Sequence, residues 1–367
     1  KSAISPSSVQ TNIATPSTLA WTLKLEQQVA PQTSLTLAYI GSHSYHQILS
    51  EDANEPAFVV CPNSAWPASL AAGTIYYPST VKANPAVTNT TSWFSSGNAS
   101  YNAFEVDLRR SYANGLQFRG NYTWSKNLDN GSAWNTSVSA NTPAFVSVPG
   151  LSNLDWGPAA TDVRHIVSLN GGYDLPFGRG HRIGAGFGAA TNTAISGWTL
   201  SAISNLQSGF PFTPQLGYNP TGSGDTRNPV RPDVNPNFQG SLYAHGSTAA
   251  RANQFFNPAA FLAPAAGTVG NLRRDTLTGP GFANLDLSLA KSTAIHERLR
   301  AQFRAEFFNV LNHTNLQTPN PVIFSSGPQQ SSTLATREQA AVLSPTAGVV
   351  TAAATSRQIQ FGLKLLF

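Results

Sequence analysis

Apolar and polar residues alternate with period two in a series of short segments, and each such segment reads as a β-strand with one greasy and one polar face. In "TLAWTLKLEQQ" (18–28), Leu19, Trp21, Leu23 and Leu25 oppose Thr22, Lys24 and Glu26. After the break "VAPQT", Leu35, Leu37 and Tyr39 alternate with Thr36 and Ala38, which completes a hairpin. The pattern then lapses for a long Pro- and Asn-rich stretch that includes "NTTSWFSSGNAS", and it returns at "YNAFEVDLRRSY" (101–112). There Phe104, Val106 and Leu108 oppose Glu105, Asp107 and Arg109. "ANG" at 113–115 supplies a tight turn that tolerates positive φ, and "LQFRGNYTW" follows with Leu116, Phe118, Tyr122 and Trp124 in phase. Further strands are predicted at 163–173, from 198, at 282–292, from 299 and at 357–367. The count is about nine, joined alternately by short turns and by very long loops.

Several structureless connections of that length are rare in an ordinary water-soluble domain. Antiparallel transmembrane β-barrels of the outer-membrane type have this asymmetry by construction, with short periplasmic turns and long extracellular loops. Lipid offers the backbone no partners, so spanning strands must pair into a closed sheet. Trp21, Tyr39, Tyr122, Trp124, Tyr173 and Trp198 fall near strand ends, where interfacial girdles lie.

Composition agrees. Only 11% of the 367 residues are charged and 41% are hydrophobic, so the missing charge is replaced by small polar residues, Gly and Pro. A mean hydropathy of -0.17 and the lack of any long apolar run exclude transmembrane helices. One cysteine, Cys61, permits no internal disulfide and no cysteine-based metal cluster. The net charge of +5 is scattered, which argues against nucleic acid as a partner. The chain starts at Lys1 and contains no methionine, so it reads as a piece of a longer protein.

The runs "NYTWSKNLDNG" (121–131), "WTLSAISNLQSGFPFT" (198–213), "GNLRRDTLTGPGFANLDLSLAKS" and "RLRAQFRAEFFNVLNHTN" resemble the C-terminal part of the β-barrel of TonB-dependent outer-membrane receptors. Within that family the chain is most similar to the Oar-like subgroup, whose members carry a carboxypeptidase-regulatory-like domain. The resemblance implies a 22-stranded barrel closed inside by an N-terminal plug with a TonB box. It also implies uptake of a nutrient ligand (carbohydrate, peptide or siderophore) without chemistry on it. Plug and box are not recognisable between residues 1 and 367, so all of the chain reads as the C-terminal barrel segment. Nine antiparallel strands would leave the first and last parallel, so this segment alone is not expected to close.

The resemblance also implies partners: outer-membrane lipid, the barrel assembly machinery, the TonB complex through the N-terminal plug, and an unknown small or oligomeric ligand. The ending "RQIQFGLKLLF" resembles a barrel-assembly signal with Gln360, Gly362, Leu365 and Phe367 in its places, to be read by β-augmentation. The charges Glu105, Asp107, Arg109, Arg119, Arg300, Arg304 and Glu306 are expected to line the lumen as salt-bridged ladders. The aromatics Trp66, Trp93, Phe94, Trp134 and Trp156 fall in predicted loops, where they would pack the loops or stack on a ligand. "GRGHRIGAGFG" lacks the context and the Lys of a P-loop and reads as a periplasmic turn. His43 and His46, three apart, would point to opposite faces of a strand. No catalytic constellation, metal site or cofactor motif stands out. The rival expectations are a surface adhesin anchored by the barrel and a secreted array of β-sandwiches.

Overall fold

The computed structural model describes residues 4–366 except 64–69, 133–144, 180, 182, 185, 226, 228–229, 297–298 and 331–339. Its backbone is one large antiparallel sheet of nine strands in chain order. These are β1 (Ser17–Ala30), β2 (Thr33–Glu51), β3 (Thr91–Ala113), β4 (Leu116–Asp129), β5 (His165–Asp174), β6 (Trp198–Gln207), β7 (Phe282–His296), β8 (Leu299–Phe308) and β9 (Gln358–Leu366). Two short strands attach at its margin: Ser7–Val9 runs parallel to β3, and Gly157–Pro158 pairs with the end of β4.

Residues directly opposite in an antiparallel ladder project to the same side, so the register sorts side chains into two faces across the whole sheet. One transverse row reads Leu25, Leu37, Val106, Tyr122, Val167, Leu206 and Ala283. Another reads Tyr173, Leu200, Leu289, Ala305 and Phe361. The adjacent row on the other face reads Glu26, Thr36, Asp107, Asn121, Ser168, Asn205 and Asn284. The apolar face is exposed: Leu23 and Leu363 each keep 74% of their surface accessible. In water such a face would be a severe liability; in hydrocarbon it is the required surface. Because side chains alternate with period two, a slip of one residue at any ladder would turn that strand's apolar set to the wrong side.

The connections 31–32, 114–115 and 175–197 lie at one end of the sheet, in their described residues. Asn114 and Gly115, with φ of 53° and 81°, make the tight turn between β3 and β4 that "ANG" predicts. The connection 175–197 contains a short helix, α1 (Ala189–Ile195), where sequence reading expects only a turn. Lys291 of β7 holds its end by donating to the carbonyls of Thr193, Ala194 and Ser196 at 2.7–3.0 Å.

The described residues of the long connections 52–90, 130–164, 208–281 and 309–357 gather at the other end and fold together. The buried apolar core lies in this loop layer and not in the sheet: Phe212, Phe255, Phe256, Phe261, Leu277, Ile323 and Val350 pack on one another. β2 and β3 run into the layer. At a rise of about 3.3 Å per residue they far exceed the roughly ten residues that span a bilayer, and sequence reading stops both short because the two-faced pattern ends where lipid ends.

Candidate functional site: the loop layer over the polar face

Buried ion pairs tie the loops to one another and to the strand ends. Arg274, only 1% exposed, pairs with the Asp129 carboxylate at the end of β4 and donates to the Ser132 carbonyl at 3.1 Å. Its neighbour Asp275 accepts from the Thr213 hydroxyl at 2.8 Å, and burial pushes that carboxyl up to about 6. Arg231 pairs with Asp155 at 3.1 Å and donates to the Ser147 hydroxyl at 2.8 Å. Asp52, at the tip of β2, accepts from the Thr90 N–H and hydroxyl and faces Lys82 at 3.6 Å and Arg227 at 3.4 Å. A buried charge persists only when paired and hydrogen-bonded, so these contacts fix the relative placement of segments far apart in sequence.

Next to Asp52 is Glu55. Tyr77 donates to its Oε2 at 2.9 Å, while Arg227 serves Asp225 at 2.7 Å. Burial, with the nearby Asp225 and Asp52 carboxylates adding to it, raises Glu55 to about 7. Burial likewise drives the Tyr77 hydroxyl well above its ordinary range.

Between the layer and the polar face of β6 and β7 lies a cavity of about 630 Å³. Its floor is the directly opposed pair Gln207 and Phe282, which share the face of Thr123 and Ile166. Its walls come from 210–215, 279–281, 316–321 and 349–351. At its base the chain crosses itself so closely that a Cβ on Gly209 would run into the Gly279 carbonyl and one on Gly281 into the Gln207 carbonyl, so both segments of this neck need glycine. A second cavity of about 420 Å³ is lined by Trp156, Arg164, Arg273 and Arg274 among others. Among the described residues, no three His, Cys, Asp or Glu side chains are placed to hold a metal.

The residues expected from sequence are dispersed. Glu105, Asp107, Arg109, Arg119, Arg300, Arg304 and Glu306 all fall on the polar face by register. They do not form ladders: Asp107 pairs with Arg119 at 2.6 Å and Arg304 approaches Glu306 at 3.7 Å. Among the described residues Glu105, Arg109 and Arg300 have no ion-pair partner. Trp93 and Phe94 are not loop residues. They belong to β3, opposite Ser50 and Leu49 of β2, because the paired strands continue above the membrane zone. Trp156 does lie in a loop, at the end of a single 3₁₀ turn (Ser152–Asp155), on the second cavity. Trp66 and Trp134 fall outside the described residues, as does Phe367. Gln360, Gly362 and Leu365 are in β9, where a Cβ on Gly362 would meet nothing. His46 sits at a register shift of β2 with φ of 59°, which breaks the simple alternation assumed for it and His43. Sequence reading misses Phe210, Gln207, Gln215 and Gln317 altogether. The available signal was the recurrence of Pro, Gly and aromatic residues in "SGFPF", "TGPGF" and "LQTPNP" at the loop bases.

A sheet with one lipid-compatible face, one polar face, short turns at one end and a folded loop layer at the other defines a bacterial outer-membrane β-barrel protein. The chain belongs to the outer membrane beta barrel domain family, whose model matches residues 1–360. Among solved structures it is similar to the outer membrane transporter YddB from Escherichia coli, with 10% identity and a TM-score of 0.44 over 97% of this chain and 33% of that one. It is also similar to the FrpB iron transporter from Neisseria meningitidis (9% identity, TM-score 0.41, covering 99% and 32%). A third is the ferric-catecholate import receptor Fiu from E. coli K12 (9% identity, TM-score 0.40, covering 97% and 28%). The chain spans about a third of the length of these structures. No curated protein matches it.

Proposed function

We propose that this chain is the C-terminal barrel segment of a TonB-dependent receptor of the Oar-like kind, which takes up a nutrient ligand across the outer membrane without catalysis. The observation that carries the reading is the cavity between the folded loop layer and the polar face, where a ligand held by the loops would already stand over the lumen. The open sheet supports the partial barrel: among the described residues β1 and β9 each have one long-strand neighbour. Both outer edges need partners before the sheet can sit in lipid. A plug would dock against the polar face, where Glu105, Arg109 and Arg300 stand without ion-pair partners among the described residues. Gln360, Gly362, Leu365 and Phe367 would be the label read by the assembly machinery, and Trp156 the remaining described loop aromatic for ligand contact.

The test is ligand uptake by cells producing the full-length protein, with and without an energised inner membrane and with the TonB box deleted. Uptake that requires both supports the proposal. Attachment of cells to a surface that depends on the loops and ignores the box would instead favour an anchored adhesin.

A further inference from the structure

We infer that the 630 Å³ cavity is a subsite for a neutral, polyhydroxylated ligand, an oligosaccharide stretch without charged groups. The inference rests on reading the loop layer as the outer face of an uptake barrel and adds the chemical class of the ligand.

Four features carry it. First, no lining residue is charged among the described ones, although buried Arg and Asp residues are frequent elsewhere in the same loop layer. Anionic ligands such as phosphates, carboxylates or catecholate complexes are held by Arg or Lys in short charge-assisted bonds, and this wall offers none. Second, it carries amides and hydroxyls that the protein leaves unused. Among the described residues the side chains of Gln207, Gln215, Gln317, Thr318 and Thr351 make no hydrogen bond, while Thr213 and Asn320, also on the wall, are engaged with Asp275 and Thr346. An amide offers both donors and an acceptor, which suits hydroxyl groups that do the same.

Third, aromatic rings stand beside those amides. Phe282 is on the floor, and Phe210 keeps 41% of its surface exposed although its chain neighbour Phe212 is sunk in the loop core. An exposed ring beside uncharged polar groups matches the C–H faces of a sugar flanked by its hydroxyls. Fourth, the wall offers a peptide no continuous row of free backbone groups. Gly279 N–H donates to the Phe210 carbonyl at 2.8 Å, Gln215 N–H to Pro321 at 2.9 Å, Gln317 N–H to Ala352 at 3.0 Å and Asn320 N–H to Val349 at 2.9 Å. Pro211, Pro280, Pro319 and Pro321 have no N–H to give. A peptide adding to an edge needs a row of free backbone groups; a glycan needs side chains, and those are what remain.

The experiment uses the full-length protein in outer-membrane vesicles and isothermal titration with maltohexaose, cellohexaose and xylohexaose. A neutral oligopeptide and a ferric catecholate serve as competitors. Binding of at least one oligosaccharide is expected, weakened about tenfold by Phe210→Ala and by Gln317→Leu but retained by Phe210→Trp, with heat-modifiable gel mobility unchanged in all three. Failure of every oligosaccharide to bind a heat-modifiable barrel overturns the inference, as does binding indifferent to Phe210→Ala or displaced by the peptide. Uptake separates the two readings. Oligosaccharide binding without energised uptake removes the transporter and leaves the ligand class standing; energised uptake of the ferric catecholate with no oligosaccharide binding does the reverse.

Discussion

Glu55→Gln turns the acidic corner of the loop layer into a measurable pH dependence. Glu55 lies among Asp52, Asp225, Lys82, Arg227 and Tyr77, and three carboxylates face two cations there. The corner is neutral when Glu55 keeps its proton, in accord with a carboxyl raised from 4.5 to about 7, first by burial and then by Asp225 and Asp52. The folded loops therefore bind this proton more tightly than the unfolded chain does. The sign follows from linkage: stability is full below the unfolded value near 4.5 and falls as pH rises towards 7, because the folded state must release a proton it holds more firmly. A shift of this size corresponds to a loss on the order of 3 kcal/mol between those limits. Hydrogen exchange in segments 52–63 and 70–90, followed from pH 5 to 8 in detergent-solubilised protein, reads it directly. Protection should decline across this window in the wild type and stay flat in Glu55→Gln, whose neutral amide replaces the protonated acid. Asp275, raised to about 6, acts in the same direction but on its contact with Thr213 inside 208–281, so exchange read segment by segment separates the two. An equal slope in wild type and variant over 52–90 would refute the reasoning.

The face assignment is tested at the middle of β5: Leu169→Arg should destabilise the barrel by about 2–4 kcal/mol in a lipid refolding assay, and Ser168→Arg on the polar face by far less; equal effects would mean the faces are wrongly sorted. Arg274→Met leaves Asp129 and Asp275 buried without their cation, at a cost of about 3–5 kcal/mol to the loop layer. Faster proteolysis within 208–281 with unchanged heat-modifiable mobility is the expected result, and unchanged cleavage would show that the pair does not hold the loop. Gly362→Ala places a methyl group in open space, so refolding yield and thermal stability of the barrel in detergent should stay as in wild type. Its level in the outer membrane should nevertheless drop if the ending is read by the assembly machinery, and full surface levels would count against that role.

The nine strands were legible because the environment imposes a rule on every position. Lipid on one side and water on the other force alternation, so Leu285, Leu287 and Leu289 against Asn284, Asp286 and Ser288 could be read without a structure. The same rule explains the errors. Trp93 and Phe94 escaped as strand residues because β3 has left the lipid zone there, and nothing demands one apolar face. The α1 helix was missed because it is short and rests on Lys291, a residue nearly one hundred positions away. Charges on the polar face could be assigned to that face but not to partners: Arg119 finds Asp107 across a ladder, whereas Arg109, in the same row, does not.

What the sequence determined by itself is the set of spanning strands, their two faces and the asymmetry of their connections, since each follows from local period and from loop length. What only the tertiary structure decided is where the loops go. Gln207, Phe210, Phe282 and Gln317 meet around one cavity because Arg274 and Asp129, Arg231 and Asp155, and the phenylalanine core pull three separate connections into one layer. No periodic rule governs those positions. They are specified by charge pairing and packing between residues distant in the chain, and such complementarity exists only once the partners have been brought together.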